Sequence, residues 1–448
     1  MANVDLINGP IDSSLRKFAV PLAVSFLVQN LYTWVDMYYV SRLNAESIAA
    51  LRVSEQLIFI LFAVASGFAI GSSIIIARRF GEGNKDKANE SATQSTVLIV
   101  VVAVLVTVLF DLLIGSILKL MNIESGISKL IISYFDGVKY GIPATFLLFH
   151  LNSIVRATGN SAFPLTVLII ANMINAIIAP LLIFGVGPFP RLEMYGAGLS
   201  TTISQYIGLS IALGGILKNY VDIKFNFKNY RPDWNLFGVI VRLGFPASLQ
   251  IISISVNRML MLTLTNTFGT VILTTYMFGV GVDLLVFMSI FAVGAAIEII
   301  TGQNLGANKI DRIFAYHKSA IKQISGLLVI ITILVFVLGA SFVGIFISEE
   351  YLVKEIEIYL RLASIAYIPF AIGIFSLRVI SGSGNYYRSF RIVAFIFFGI
   401  QLPFAYLLSN YTGMGHYGIW VAILISHLAF AGLALYSMLN KKWIRTKV

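Results

Sequence analysis

The chain has 448 residues, of which 58% are hydrophobic and 12% charged, with a mean hydropathy of +0.87 and a net charge of +11. A water-soluble domain carries about a quarter charged residues, so this excess of apolar side chains has no aqueous surface to occupy and its solvent is a bilayer. Cysteine is absent, which excludes a disulfide framework, a thiolate nucleophile and a Cys-based metal site.

Apolar runs of roughly 20 residues or more, each able to cross about 30 Å of hydrocarbon, recur along the whole sequence. They predict an all-α polytopic membrane protein with transmembrane helices near 16–41, 47–77, 91–118, 128–155, 162–185, 196–217, 236–266, 271–300, 319–347, 354–381, 390–409 and 417–439, twelve in total. The first run is too long and aromatic for a cleavable signal peptide and reads as a retained span. Lys and Arg collect in alternate loops, around Arg78 to Lys87, Lys218 to Arg242, Lys309 to Lys322, Arg388 to Arg391 and Lys441 to Lys442. The intervening loops SRLNAES, NTFGTV and SNYTGMGHYG hold one or none. By the positive-inside rule the basic loops and both termini are expected in the cytoplasm, with the chain a multi-pass protein of the cell membrane. This alternation, and not a nucleic-acid partner, accounts for the positive charge.

Several polar side chains interrupt the apolar runs. Asp36, in QNLYTWVDMYYV, lies about twenty residues into the first span and so in the outer half of the bilayer. An ionised carboxylate there costs about 2.5–3.5 kcal/mol on insertion scales, which makes it a functional pointer. Tyr32 and Gln29 precede it by one and two helical turns and share its face. In the fifth span Asn172 and Asn175 form a polar stripe, Asn152 lies in the fourth, and Ser200, Thr201 and Thr202 lie in the sixth. A carboxylate among amide and hydroxyl oxygens suits a hard cation and equally a proton. For each polar residue alone, ordinary interhelical hydrogen bonding is the competing reading.

The sequence repeats itself. FAVP…ARRFGEGNKDK returns as LGFP…TGQNLGANKID, so that Pro21 recurs as Pro246 and Gly81 as Gly306, and RATGN returns as SGSGN. The offset is about 225 residues, half the chain, which predicts two pseudo-symmetric six-helix bundles. Because six is even, the repeats are parallel, and substrate is expected between them. The expected division is 1–217 for the first bundle, 218–235 for a basic cytoplasmic linker and 236–448 for the second.

NGPI…FAVP, Gln29…Val35–Asp36, RRFGEGN, RATGNSAFP and GQNLGAN, in this order and spacing, resemble the multidrug and toxic compound extrusion (MATE) transporters over nearly the whole chain. The first span is most similar to the DinF-like branch. The resemblance implies an antiporter that exchanges H⁺ or Na⁺ for bulky, often cationic or amphiphilic organic compounds. No cofactor is implied beyond the coupling ion, and a monomer is expected. Asp36, Asn152, Asn175 and Thr201, with Tyr32 adjoining, match the family's cation-responsive site, while Gln29, Asn172, Ser200 and Thr202 are candidates for the substrate cavity. Members with a complete site carry a second acid in N-x-x-x-D-P, where this chain has NAIIAP with Ala179. Less countercharge for Na⁺ makes proton coupling through Asp36 the stronger expectation.

Burial disfavours the charged form of Asp36, so a small change in exposure switches its protonation. The neutral form is expected to let the first helix repack about Pro21, whose missing N–H weakens the helix there. In the second half, Arg258 and Asp283 are expected to neutralise one another, and Glu298 to meet Lys318 or Lys322; these charges read as structural. A lipid-linked oligosaccharide flippase is the alternative, although Arg258 alone is available in the cavity to hold phosphates. No P-loop is present, and the four histidines form no ligand-spaced pair, so neither an ATP-driven pump nor a hydrolase is indicated; no catalytic or metal-binding residue is assigned.

Overall fold

A computed structural model describes residues 3–228 and 230–446, whose regular elements are all helices, with no strand among the described residues. The first half contains α1 (Ile11–Val40), α2 (Ala45–Gly81), α3 (Lys85–Leu120), α4 (Ser125–Val138), α5 (Ile142–Ala157), α6 (Ala162–Phe184) and α7 (Glu193–Leu217). The second contains α8 (Trp234–Asn266), α9 (Thr270–Gly306), α10 (Ile310–Gly344), α11 (Glu350–Ile365), α12 (Tyr367–Gly382), α13 (Tyr386–Ala394), α14 (Leu402–Tyr411) and α15 (Tyr417–Leu439). A π-helical segment, Phe395–Gln401, joins α13 to α14.

Among the described residues nine helical spans are long and apolar enough to cross a bilayer, or ten when the bent pair α11 and α12 counts as one. The two remaining expected spans have physical reasons to differ. That at 128–155 is divided between α4 and α5 by a 3-10 turn at Lys139–Gly141, ahead of Pro143. That at 196–217 is α7, whose glycines, serines and threonines dilute its hydropathy while letting neighbours approach closely.

The repeat is visible in the backbone. Gly159 and Gly384 both adopt φ of +94°, and the asparagine that follows each accepts a backbone N–H three residues on, Asn160 from Phe163 at 3.0 Å and Asn385 from Arg388 at 3.3 Å. Here the tripeptide Ser/Thr-Gly-Asn ends one helix and caps the next. After α2 and α9 the left-handed residue is Gly83 in one half and Asn308 in the other, the two residue types that tolerate it best.

Two compact units result, and their borders fall inside helices, not in the expected 218–235 linker. The first comprises residues up to Asp5 together with Val20–Ser248; the second comprises Leu6–Ala19 and Leu249–Val448. Both α1 and α8 are continuous, and each changes unit within three residues of its internal proline, Pro21 or Pro246.

Within the first unit α7 packs against α4, α5 and α6, and α2 against α3 and α5. The α4–α7 contact depends on Gly137 and Gly198: a Cβ on either would run into the backbone of the opposite helix. The linker is strapped to the start of α3, where Asn89 accepts the Lys224 N–H at 2.8 Å and Gln94 bonds both Arg231 O at 2.6 Å and Asp233 N at 3.2 Å. Within the second unit α12 packs against α9 and α15, and α10 against α9 and α11. There the segment before α1 is strapped in the same way, with Leu6 O accepting from Asn304 and from Tyr316, each at 3.1 Å.

Candidate functional site

Asp36 is reached by three helices of the first unit. Asn175, buried on α6, donates its amide N–H to Asp36 Oδ1 at 3.0 Å, while its oxygen accepts the Thr201 backbone N–H of α7 at 3.2 Å. The opposite amide orientation would turn the oxygen toward acceptors. The Thr201 hydroxyl lies 3.3 Å from Ala197 O and 2.9 Å from Tyr32 Oη; when Thr201 donates to Tyr32, the Tyr32 O–H is left to donate to the Asp36 carboxylate beside it. Tyr39 Oη donates to Ala176 O at 3.2 Å and fastens the same stretch of α1 to α6. The donors around Asp36 are therefore neutral, and among the described residues no Lys or Arg pairs with it. Such a carboxylate has no fixed countercharge, so a proton or a small cation is left to balance it.

The other expected residues divide. Asn172 makes a long hydrogen bond, 3.4 Å, to Val28 O on α1, and Gln29 is exposed. Ser200 is fully buried and bonds Ala197 O at 2.8 Å within its own helix. Thr202 points away from Asp36: one residue along a helix is a rotation of about 100°, and its hydroxyl donates to Gly137 O on α4 at 2.8 Å. Asn152 is buried with Oδ1 unpartnered and makes no hydrogen bond to the Asp36 cluster. Pro21 leaves α1 unbroken, and its carbonyl accepts from Ser25 Oγ at 2.8 Å. Ala179, where the family's second acid would stand, is fully buried in an apolar cluster that includes Val40, Leu57 and Ile183.

Two expectations for the second half are corrected. Asp283 is buried and accepts from two phenols, Tyr359 Oη to Oδ2 and Tyr367 Oη to Oδ1, each at 2.7 Å. Arg258 is exposed on α8, and among the described residues no ion pair within 4.0 Å joins it to Asp283. Hydroxyls on α11 and α12 satisfy the acid where the sequence pointed to an arginine. Glu298 pairs with neither Lys318 nor Lys322; Arg378 Nη1 meets its Oε2 at 2.7 Å from α12. Both helices bury these groups, and the lysines belong to the solvated start of α10.

Three participants were missed. Glu55 of α2 is close enough to act electrostatically on Asp36 and on Tyr134, and is itself paired with Arg52 at 2.9 Å. Tyr134 of α4, buried, lies beside Asp36 and Thr201. Arg378 was the third. For Glu55 and Arg378 the signal was present, since each is a charge inside a predicted apolar run.

A duplicated helical bundle, with an uncompensated acid held among amides and hydroxyls inside its first half, defines a class: a polytopic membrane transporter built on an internal repeat. The MatE family profile matches residues 21–181 and again 246–407, and the chain belongs to that family of transporters. Each match begins at one of the two paired prolines.

Among relatives, "Probable multidrug resistance protein YoeA" of Bacillus subtilis (strain 168) is 26% identical over 442 residues, covering 97% of this chain and 95% of that one. "Probable multidrug resistance protein NorM" of Thermotoga maritima is 22% identical, covering 98% and 94%. A Shewanella oneidensis protein named "FAD transporter" is 24% identical, covering 97% and 96%. The fold is shared with a solved structure described as MATE in the bent conformation, with a TM-score of 0.92, 21% identity and coverage of 98% and 97%. It is shared equally with a multidrug resistance MATE transporter in an outward-facing conformation, with a TM-score of 0.90, 21% identity and coverage of 100% and 99%.

Proposed function

We propose that the protein is a secondary antiporter of the cell membrane, with both termini cytoplasmic, that exports bulky and often cationic organic compounds in exchange for inward H⁺. Asp36 is the coupling group. The observation that carries this reading is the carboxylate of Asp36 set among the neutral donors of Asn175 and Tyr32, with no Lys or Arg paired to it among the described residues. A proton arriving from outside removes the cost of burying the charge, α1 repacks about Pro21, and substrate held in the first half is released outward. When the site faces the cytoplasm, the proton leaves and the ionised acid again favours a cationic substrate. Each inward proton supplies about 1.4 kcal/mol per pH unit and about 2.3 kcal/mol per 100 mV. That is enough to bias a two-state exchange.

Proton coupling is favoured over Na⁺ because the second acid of the family site is replaced by Ala179 in an apolar pocket. Names of relatives favour multidrug export over movement of a lipid-linked saccharide. The test is dye efflux from liposomes containing the purified protein, driven in turn by a pH step and by a Na⁺ step. Efflux is expected under the pH step, and Asp36→Asn is expected to slow it at least about tenfold, the loss of roughly one pH unit's worth of coupling. Normal exchange by Asp36→Asn would remove Asp36 from the mechanism, and efflux under the Na⁺ step alone would replace the coupling ion.

A further inference from the structure

The end of the chain is charged in one sense only. After Glu357 the sequence contains no Asp or Glu, yet it carries eight Lys and Arg residues over its last 91 positions. Two of these are neutralised within the second unit, Arg361 by Glu357 and Arg378 by Glu298. Arg388, Arg391 and Lys442 surround a cavity of ≈ 740 Å³ between the start of α13 and the end of α15. Among the described residues no carboxylate pairs with any of the three.

The cavity is positioned firmly. Arg388 Nη2 donates to Ser437 Oγ at 3.1 Å and ties α13 to α15. Trp443 is fully buried, and its indole donates to Met438 O at 2.6 Å, which fixes the turn that carries Lys442. The lining combines these cations with apolar side chains, including Phe395 and Leu433. Tyr387 and Phe395 are 63% and 55% exposed, as aromatic side chains are at a bilayer interface.

The first half provides an internal control. About 225 residues earlier, Arg388 corresponds to Phe163 and Arg391 to Thr166; at the helix end, where the left-handed residues Lys441 and Asn219 mark equivalent positions, Ser437 corresponds to Gly215 and Lys442 to Tyr220. There the Phe163 ring lies directly on Gly215 and fills the equivalent space. One repeat closes this corner with a ring, while the other opens it and lines it with charge.

We propose that this cavity binds the phosphate-bearing headgroup of an anionic phospholipid, with Arg388, Arg391 and Lys442 on the phosphate and the apolar side chains against an acyl chain. The cationic lining selects the anion, and the apolar side chains select a lipid over a free phosphate. Under the proposed topology the lipid belongs to the cytoplasmic leaflet, where anionic headgroups attract such clusters.

The test titrates detergent-purified protein with phosphatidylglycerol, phosphatidylcholine or inorganic phosphate and counts bound molecules by native mass spectrometry. The variant Arg391→Gln/Lys442→Gln removes two exposed charges and leaves the Arg388–Ser437 hydrogen bond in place, and retained dye efflux reports its fold. Phosphatidylglycerol is expected to bind the wild type about thirty-fold more tightly than the variant, one headgroup's attraction to two charges. Phosphatidylcholine should not distinguish the two proteins, and inorganic phosphate, which lacks the apolar contact, should bind the wild type far more weakly than phosphatidylglycerol does. Arg391→Lys, which keeps the charge, should retain the preference. Equal binding of phosphatidylglycerol to wild type and double variant, or of phosphatidylcholine and phosphatidylglycerol to wild type, would overturn the proposal. So would inorganic phosphate occupying the site as well as the lipid does.

Discussion

At the scale of single residues the two halves solve the same problem differently. Each sets an acid on a membrane helix among neutral donors, Asp36, half-buried, in the first and Asp283, buried, in the second. Asp283 has two phenol donors at 2.7 Å, so replacing one leaves a buried acceptor unsatisfied. Tyr367→Phe is expected to cost about 1.5–3 kcal/mol, the range for hydrogen bonds to charged groups, seen as a lower thermal midpoint in detergent. For Glu298 and Arg378, truncation of one partner strands the other: Arg378→Ala should cost about 3–5 kcal/mol. The double change Glu298→Gln/Arg378→Met should cost less than the single one, and an additive result in the melting data would refute the pairing.

Asp36 was legible because an acid in an apolar run is costly, and Tyr32 because helical periodicity puts it on the same face; Asn175, Thr201 and Asn152 were joined to them by the family resemblance, and of these Asn152 makes no hydrogen bond to the group. Thr202 was grouped with Thr201 by sequence adjacency, which a helix turns into directions about 100° apart. The Arg258–Asp283 pair followed from counting charges. Counting overlooks phenols, which satisfy an acid while remaining ordinary members of an aromatic-rich sequence. Glu55 was overlooked through the opposite bias, since an acid three residues after Arg52 reads as a local pair and so as neutral.

Helices and loops show which sequence features carry the architecture. All twelve spans were read from apolar runs, and the two that the structure does not show as single long apolar helices, 128–155 and 196–217, are those in which glycine, serine and proline replace apolar bulk. These helices depend on close backbone approach. Gly198→Leu would press a side chain into the α4 backbone at Tyr134, beside the Asp36 cluster, and overpacking of this kind costs about 1–3 kcal/mol. A lowered melting midpoint together with slowed efflux is expected; unchanged values of both would show that the α4–α7 contact does not hold the cluster. The repeat also preserves devices without preserving residues. Each half is entered by a strap anchored near helix ends, by Asn89 and Gln94 of early α3 in one case and by Asn304 of late α9 and Tyr316 of early α10 in the other. No alignment of identities reveals that correspondence.

For the whole molecule, the division into units that exchange the first turns of α1 and α8 places both unit borders next to Pro21 and Pro246. In the reading proposed above, the backbone hydrogen bond that Pro21 removes makes it the hinge of α1. In the proposed cycle the hinge is driven by protonation of Asp36, and exchange then requires that substrate and proton exclude one another. The direct measurement is proton release on substrate addition to the purified transporter in weakly buffered detergent near neutral pH, followed with an indicator dye. The wild type should release up to about one proton per substrate bound, and Asp36→Asn, still binding substrate, should release none. Equal release by the two proteins would contradict the account.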